Sequence, residues 1–296
     1  MRAIAALVAA ASLAACATTG SPSQRSGEPV QGVVPPAPSG PVPPAYQYLY
    51  GSGEAGAESL TAFHALIAYA RDRVAHRPVD SVVVAAGSPL VKARFVPCGD
   101  KPFAVVFDVD ETVLLNLGFE ARAAAGEPYS QATWDRWEAT GGKAIAAVPG
   151  AVHAVEDLRK MGVTVVFNTN RSVAHAADTA AALKAAGLGE AVHGDTLFLQ
   201  GDDASGGHKD GRRAVIAARY CVIAMGGDQL GDFSDLFNAP MPVSERRQLA
   251  VHSSAAGLWG KGWFVLPNPV YGTALKGGRD DVFPADKRWS PAAQEK

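Results

Sequence analysis

The sequence lacks an excess of charge of either sign. Its 296 residues carry 27 basic and 29 acidic side chains, which gives a formal net charge of -2. Nucleic-acid binding as the main role would require a basic surface, so the composition gives no support to it. Hydrophobic residues make up 48% of the chain, enough for the core of one domain of ordinary to large size.

The N-terminus lacks an apolar run long enough to cross a bilayer. Arg2 precedes a short apolar stretch, Ala3 to Leu13, which is typical of a targeting segment. The stretch continues as LAAC, which resembles the bacterial lipobox, where small residues precede a cysteine that is acylated. We therefore predict a lipoprotein signal peptide over residues 1–15 and lipidation of Cys16. An ordinary secretory signal with an incidental cysteine is the alternative.

The lipobox predicts where the protein is held. Several acyl chains anchor a protein stably, whereas one chain would not. Residue 17 is Ala rather than Asp, which argues against inner-membrane retention in enteric-type bacteria. We therefore predict a lipid-anchored protein of the bacterial outer membrane, facing the periplasm or the surface.

Cysteine is scarce, with three residues in the chain. Cys98 and Cys221 remain once Cys16 is assigned to the anchor, and export implies an oxidising compartment. Each of the two precedes a predicted strand that carries a motif, and these strands should be neighbours. The sequence leaves two alternatives open, a disulfide or two free buried thiols.

Residues 16–45 are rich in Pro, Gly and Ser, which predicts an extended, semi-rigid spacer. Beyond the spacer, helical and strand patterns alternate. Predicted helices cover 57–74, 149–161, 174–186 and 209–219, and predicted strands cover 81–85, 103–107, 163–167, 196–199 and 221–225. This alternation predicts an α/β fold with a doubly wound, mostly parallel sheet. Residues 117–148 show helical patterns without a strand signal, which predicts a small helical cap within a domain spanning 46–280, followed by a tail, 281–296.

The stretch FAVVFDVDETVLLN, residues 103–116, begins as a continuous apolar run. Such a run is typical of a short strand buried on both faces. It ends at Asp108 and Asp110. Ligands of open α/β sheets bind beyond the carboxyl ends of the strands, so these carboxylates predict a reaction centre. A helix start with acidic caps is the alternative.

Further polar motifs follow at the spacing of strand–helix units, and each is weak when taken singly. They are FNTNR (167–171), KDGRR (209–213), GGDQLGDF (226–233), TWDRW (133–137) and LPNPVYG (266–272). Together with FDVDETVLLN, they resemble the haloacid dehalogenase superfamily. More narrowly, they resemble the bacterial lipoprotein acid phosphatases, or class C non-specific acid phosphatases.

This resemblance runs from about Tyr46 to about Leu275. Two positions depart from the family pattern. Gln229 stands where Asn is expected, and Leu115 stands where some members have a second acidic residue. Neither departure removes a catalytic group, so the resemblance implies an Mg²⁺-dependent phosphomonoesterase.

The resemblance implies separate roles for the acidic residues. Asp108 would attack phosphorus to form an aspartyl-phosphate, and Asp110 would act as the general acid and base. Mg²⁺ would be held by Asp108, Asp228 and the backbone carbonyl of Asp110. Asp232 would act through water or by orienting the ligands, and Asp235 less directly.

The transferring phosphoryl group also needs hydrogen-bond donors on its oxygens. The same resemblance assigns this role to Thr169, Asn170 and Lys209. Arg171 would pair with an acidic ligand or with the substrate, and the sequence leaves that choice open.

Family members that cleave nucleoside monophosphates hold the base between aromatic rings. The resemblance places Tyr271 in that role, with Phe119 and Trp137 as candidates for the opposing wall. Core packing in the helical part is the alternative for Trp137, and it is the interpretation favoured for Trp134. A homodimer is expected on the same ground.

Three alternatives to a nucleotidase remain at this stage. The first is an acid phosphatase of broad specificity without nucleotide preference. The second is a non-catalytic ligand-binding or adhesion lipoprotein, although no motif is lost. The third is a dehalogenase or phosphonatase of the same fold. Asp110 and the lipobox both argue against this third alternative.

Overall fold

The computed structural model describes residues 40–291. The predicted signal peptide, Cys16 and most of the predicted spacer therefore lie outside the described residues. A helix begins at Pro44, two residues before the predicted domain boundary at 46. Proline suits this position because its missing N–H would have no partner in the first turn of a helix.

The strands within the described range, in chain order, are β1 (Asp80–Val84), β2 (Phe95–Pro97), β3 (Phe103–Phe107), β4 (Leu114–Leu115), β5 (Ala146–Ala147), β6 (Thr164–Ser172), β7 (Leu197–Gln200), β8 (Cys221–Gly227) and β9 (Trp263–Val265). The α-helices in the same range are α1 (Pro44–Gly51), α2 (Gly53–Ala75), α3 (Leu117–Ala124), α4 (Gln131–Thr140), α5 (Ala151–Lys160), α6 (Ala176–Ala185), α7 (Asp210–Arg219), α8 (Val243–His252) and α9 (Arg279–Val282). Short 3₁₀ turns connect several of them.

The main sheet has the order β7-β6-β3-β8-β9, and every neighbouring pair is parallel. From β3 the chain proceeds to β6 and β7 on one side, then crosses to β8 and β9 on the other. The strand order therefore reverses at β3, where doubly wound sheets bind their ligands. The predicted α/β fold with a doubly wound parallel sheet is confirmed.

Strand β3 is apolar throughout because it is covered on both faces. Val105 and Phe107 pack in a core cluster with residues of α2 and α5. Ala104 and Val106 pack in the other cluster, which includes residues of α7. The alternation of side chains along a strand sends successive residues into the two cores.

The segment after Asn116 was predicted to be helical without a strand, but the short strand β5 lies near its end. Strands β4 and β5 pair antiparallel at the base of the cap, where the chain leaves and re-enters the core domain. Two-residue strands are too short to show an alternating pattern. Strand β9 has three residues, and it was likewise missed.

A disulfide joins Cys98 to Cys221, with 4.5 Å between the two Cα atoms. Cys221 is the first residue of β8 and lies opposite Phe103 of β3, so the neighbouring strands bring the two cysteines together. The bond closes a separation of 123 residues. Of the two alternatives that the sequence left open, the structure has the disulfide, and a link over so long a loop restricts the unfolded chain.

The α-helices of the described range differ in length, and α2 is the longest of them at 23 residues. Between residues 40 and 291, no helix combines the length and apolarity that crossing a bilayer requires.

Candidate active site

Three carboxylates meet at the carboxyl end of the sheet. Asp108 follows β3 and Asp228 follows the neighbouring strand β8, whose Gly226 pairs with Phe107. Asp232 lies in the short turn after β8. One carboxylate oxygen from each of the three lies within 4.8 Å of the others. The predicted grouping of Asp108, Asp228 and Asp232 is therefore present.

The turn after β8 requires glycine at position 227, directly before Asp228. A Cβ atom at Gly227 would lie 2.3 Å from the Cβ of Asp232, which is closer than side-chain carbons approach each other. Only glycine lets the turn fold back and bring Asp232 to the cluster.

Lys209 connects two of the carboxylates. Its Nζ donates to Asp108 Oδ1 at 2.5 Å and to Asp232 Oδ1 at 2.7 Å, and the residue is buried. Burial alone would lower the pKa of Lys209, but Asp108 and Asp232 together hold it above its ordinary value. Lys209 is therefore a fixed positive charge beside the predicted nucleophile.

Asp235 supports Lys209 instead of joining the carboxylate cluster. Its Oδ1 accepts from the backbone N–H of Lys209 at 2.9 Å, and its Oδ2 accepts from that of Asp210 at 2.6 Å. These bonds satisfy free N–H groups at the start of α7. Asp235 thus caps α7, and its suggested indirect metal role stays a prediction.

The cluster carries more negative charge than Lys209 balances. Burial raises the pKa of Asp108 well above its usual range, Lys209 opposes this, and the charges of Asp232 and Asp228 add to the rise. Burial, followed by the charge of Asp232, raises the pKa of Asp228 to about 7. Three oxygen donors with uncompensated charge suit a hard divalent cation, which would favour their ionised forms. The residues present therefore fit the predicted metal.

Polar neighbours orient Asp228. Its carboxylate accepts from Asn268 Nδ2 at 2.7 Å, Gln229 Nε2 at 3.0 Å and Thr112 Oγ1 at 3.2 Å. Such outer contacts keep a ligand in one orientation. Gln229 thus supplies an amide donor to the carboxylate even though it departs from the family pattern.

Arg171 holds Asp110, which answers the question that the sequence left open. Its Nε and Nη2 donate to Asp110 Oδ1 at 2.9 and 2.7 Å, and Asn116 Nδ2 donates to the same oxygen at 2.9 Å. The other oxygen, Oδ2, has only a 3.5 Å contact with the hydroxyl of Thr169. One oxygen of Asp110 is thus fixed by three hydrogen bonds, while the other has one weak contact.

Two of the predicted phosphate ligands have other partners through their side chains. The Thr169 hydroxyl accepts from the backbone N–H of Arg171 at 3.1 Å and is fully buried. Asn170 Nδ2 donates to the carbonyl of Gly207 at 2.9 Å, and its Oδ1 accepts from Arg212 Nη2 at 2.6 Å. Both residues lie on β6, which extends through Ser172 rather than ending at 167 as predicted. A phosphate contact by Asn170 would therefore use its backbone N–H.

Two adjacent cavities open at this edge of the sheet. The smaller, of about 230 Å³, is lined by the carboxylate cluster and Lys209. The larger, of about 490 Å³, is lined by residues of the cap. Asp110, Asn170 and Tyr271 line both cavities, so a molecule bound in the smaller one can extend into the larger one.

The sequence profile of the HAD superfamily, subfamily IIIB (Acid phosphatase), matches residues 46–274. This match covers the sheet, the cap and every residue of the two cavities. The chain belongs to this acid phosphatase family. The protein is therefore a hydrolase of phosphomonoesters, as the resemblance predicted.

Solved structures agree on the fold of this acid phosphatase. The class C acid phosphatase of Bacillus anthracis superposes with a TM-score of 0.62 at 21% identity, over 78% of this chain and 84% of that one. A structure of the same Bacillus anthracis enzyme with tungstate bound gives a TM-score of 0.61 at 22% identity, with the same coverage. No curated protein matches the chain.

Five aromatic residues line the larger cavity of the acid phosphatase. They are Tyr46, Phe119, Tyr129, Trp134 and Tyr271. The predicted pair Tyr271 and Phe119 is therefore brought together, with Trp134 packed edge-on against Phe119 at 4.9 Å between ring centroids. Tyr46 on α1 was missed because no local pattern relates α1 to a motif at the other end of the chain.

The placement of Trp137 on this wall is wrong, and Trp134 takes that position. Trp137 Nε1 donates to Asn116 Oδ1 at 2.9 Å. Its indole is packed so closely that a Cβ atom at Gly118 or Gly141 would lie 3 Å or less from it. Trp137 thus supports Asn116 beneath the site, and spacing along α4 alone could not tell the two tryptophans apart.

Glu111 holds Tyr271 next to the loop that carries Asp110. The Tyr271 hydroxyl donates to Glu111 Oε2, while Glu111 Oε1 accepts from Asn116 N at 2.9 Å and from the Tyr50 hydroxyl at 3.2 Å. Burial and then the charge of Asp110 raise the pKa of Glu111 to about 8. Its φ of 53° is unusual for a residue with a side chain, and such strain is often found at functional sites.

Proposed function

We propose that this acid phosphatase is Mg²⁺-dependent, acts through an aspartyl-phosphate and prefers 5′-nucleotides. One observation supports the proposal above others. The carboxylate cavity and the aromatic cavity adjoin at Asp110 and Tyr271. A phosphoryl group beside Asp108 and a planar base between the rings would then belong to one molecule.

In the first step, an oxygen of Asp108 bonds to phosphorus and the P–O bond to the leaving group breaks. Asp110 gives its proton to the departing oxygen through Oδ2, while Arg171 holds Oδ1. Lys209 orients Asp108 and offers its charge to the phosphoryl oxygens. In the second step, Asp110 takes a proton from water, the water oxygen bonds to phosphorus, and the bond to Asp108 breaks to release inorganic phosphate.

The metal would be held by oxygens of Asp108, Asp228 and Asp232, with the backbone carbonyl of Asp110 as a further ligand. When bound, it neutralises the negative charge that the carboxylates share with the phosphate. Mg²⁺ is favoured because it prefers a few carboxylates together with phosphate oxygens and water.

Removal of the metal is expected to stop phosphate release, and Mg²⁺ is expected to restore it. Asp228→Asn removes one ligand charge, so the Mg²⁺ concentration for half-maximal activity should rise about tenfold or more. Phosphate release measured over a Mg²⁺ titration after chelation provides the test. Asp100→Asn, at an exposed position, is the matched control. Full activity in chelator would contradict the metal requirement.

Tyr271→Ala is expected to lower kcat/KM for adenosine 5′-monophosphate, because stacking on a base contributes about 1–3 kcal/mol. Glycerol 2-phosphate has no ring to stack, so its kcat/KM should change little. Tyr271→Phe keeps the ring and loses the hydroxyl bond to Glu111, which separates stacking from positioning. Equal losses for both substrates would favour the alternative of broad specificity without nucleotide preference.

We also propose that Cys16 is lipidated and that the anchor holds the enzyme at the outer membrane. The lipobox supports this, and the Pro-rich spacer is long enough to hold a domain away from a membrane surface. Cys16→Ser with membrane fractionation tests it, since an enzyme that stays with the membrane would rule out this anchor.

A further inference from the structure

Glu120 is a largely buried residue on the wall of the aromatic cavity. It lies on α3, directly after Phe119, and is 6% exposed. Within residues 40–291 its carboxyl group has neither a hydrogen-bond donor nor a cationic partner. The mechanism above does not use it.

Other buried glutamates near the site do have partners. Glu111 accepts from Tyr271, Tyr50 and Asn116. Glu138 accepts from the backbone N–H of Ser172 at 3.0 Å. Buried polar groups are normally paired, because burial without a partner is costly. The Glu120 carboxyl group has no such partner in the described part of the chain, and its oxygens are not among the fully buried unpaired atoms, so they are open to the cavity that a ligand can enter.

The surroundings of Glu120 indicate which part of a substrate it would meet. Burial, followed by the negative charge of Asp110, raises its pKa to about 7, so the two carboxyl groups are close enough to interact. A phosphate dianion would be repelled from this wall, whereas Lys209 attracts it in the smaller cavity. The leaving group, which Asp110 protonates, is the part that reaches Glu120.

The aromatic walls offer flat apolar faces, and Glu120 adds a hydrogen-bond acceptor among them. We propose that Glu120 is a specificity-determining residue that accepts a hydrogen bond from the leaving group of the substrate. The enzyme then favours phosphomonoesters whose leaving group carries a hydroxyl or amino donor. This proposal rests on the proposed phosphatase function and deepens it, since a nucleoside monophosphate offers both kinds of donor.

Glu120→Leu is the main test, because leucine removes the acceptor and suits a buried position. Above pH 7, where the Glu120 carboxyl group is largely ionised and accepts a charge-assisted hydrogen bond, the change should lower kcat/KM for adenosine 5′-monophosphate about tenfold or more. Phenyl phosphate fits the aromatic walls but has no donor on its leaving group, so its kcat/KM should be unchanged or higher. Glu120→Gln, which keeps the shape and a neutral acceptor, should show the same preference with a smaller loss.

Two sets of controls locate the effect. Glu190→Gln changes an exposed carboxyl group that lies outside the cavity and is paired with Lys184, and neither substrate should respond. The 2′-deoxy and 3′-deoxy nucleotides and purine riboside 5′-monophosphate each lack one donor. The analogue that lacks the donor bound by Glu120 should react equally well with wild type and Glu120→Leu.

Equal losses in Glu120→Leu for adenosine 5′-monophosphate and phenyl phosphate would overturn the proposal, because a structural defect alone would produce them. The proposal would also be overturned if Glu120→Leu lowered kcat/KM by the same factor for every analogue that lacks a donor as for adenosine 5′-monophosphate. Hydrolysis of phenyl phosphate by the wild type tests the proposed function independently of Glu120. If the wild type hydrolysed no phosphomonoester, the proposed function and this inference would both fall.

Discussion

Asp108→Asn is expected to lower phosphate release by on the order of 10³-fold or more, the range found when a nucleophile is removed. An amide oxygen does not attack phosphorus as a carboxylate does, and the neutral side chain is also a weaker ligand for a cation. The fold should persist, because the change relieves a buried charge and Asp232 still accepts from Lys209. Phosphate release with and without Mg²⁺ measures the effect.

Asp100→Asn serves again as the control for this change, since its carboxylate is exposed. Thermal unfolding of the Asp108→Asn protein shows whether the domain is intact. A folded variant that kept its activity, with or without Mg²⁺, would exclude Asp108 as the nucleophile.

Asp110→Asn is expected to separate the two chemical steps. Asparagine can still accept from Arg171 and Asn116 through Oδ1, so the loop geometry should be kept. General acid–base catalysis contributes about 10²- to 10⁴-fold, and turnover should fall by that factor. Nitrophenol leaves readily without protonation, so p-nitrophenyl phosphate should still phosphorylate Asp108.

Rapid mixing of Asp110→Asn with p-nitrophenyl phosphate should therefore give a burst of about one nitrophenol per enzyme, followed by slow release of both products. Adenosine 5′-monophosphate needs protonation of its leaving group, so it should show no burst. The role of Asp110 in the second step would be contradicted if the variant matched the wild type in steady-state release of phosphate.

The fold was largely predictable because its signals are local. The apolar run of β3 reflects burial on both faces, and the alternation of strands and helices indicates a parallel sheet. The weaker elements escaped prediction for the opposite reason. Strands β4, β5 and β9 consist of two or three residues, and their pairing depends on neighbours that are distant in the chain.

In the candidate site, too, some contacts were predictable from the sequence and others were not. Asp108 and Asp228 were predicted to meet because each follows a strand, and parallel strands end at one edge of the sheet. Lys209 was predicted beside them and does contact Asp108. For Thr169 and Asn170 the prediction included both side-chain and backbone donors to phosphate, and the structure shows their side chains in hydrogen bonds with other protein groups.

Short patterns at fixed spacing in the sequence predict the sheet, the carboxylates at its edge and the acid phosphatase family. Which side chains become partners depends on the tertiary structure. Arg171 pairs with Asp110, and Trp134 rather than Trp137 lines the aromatic cavity. Glu120 lines the same cavity without a hydrogen-bond partner among the described residues. Such choices depend on ångström-scale distances between helices and loops that are far apart in the chain, and no local pattern encodes those distances.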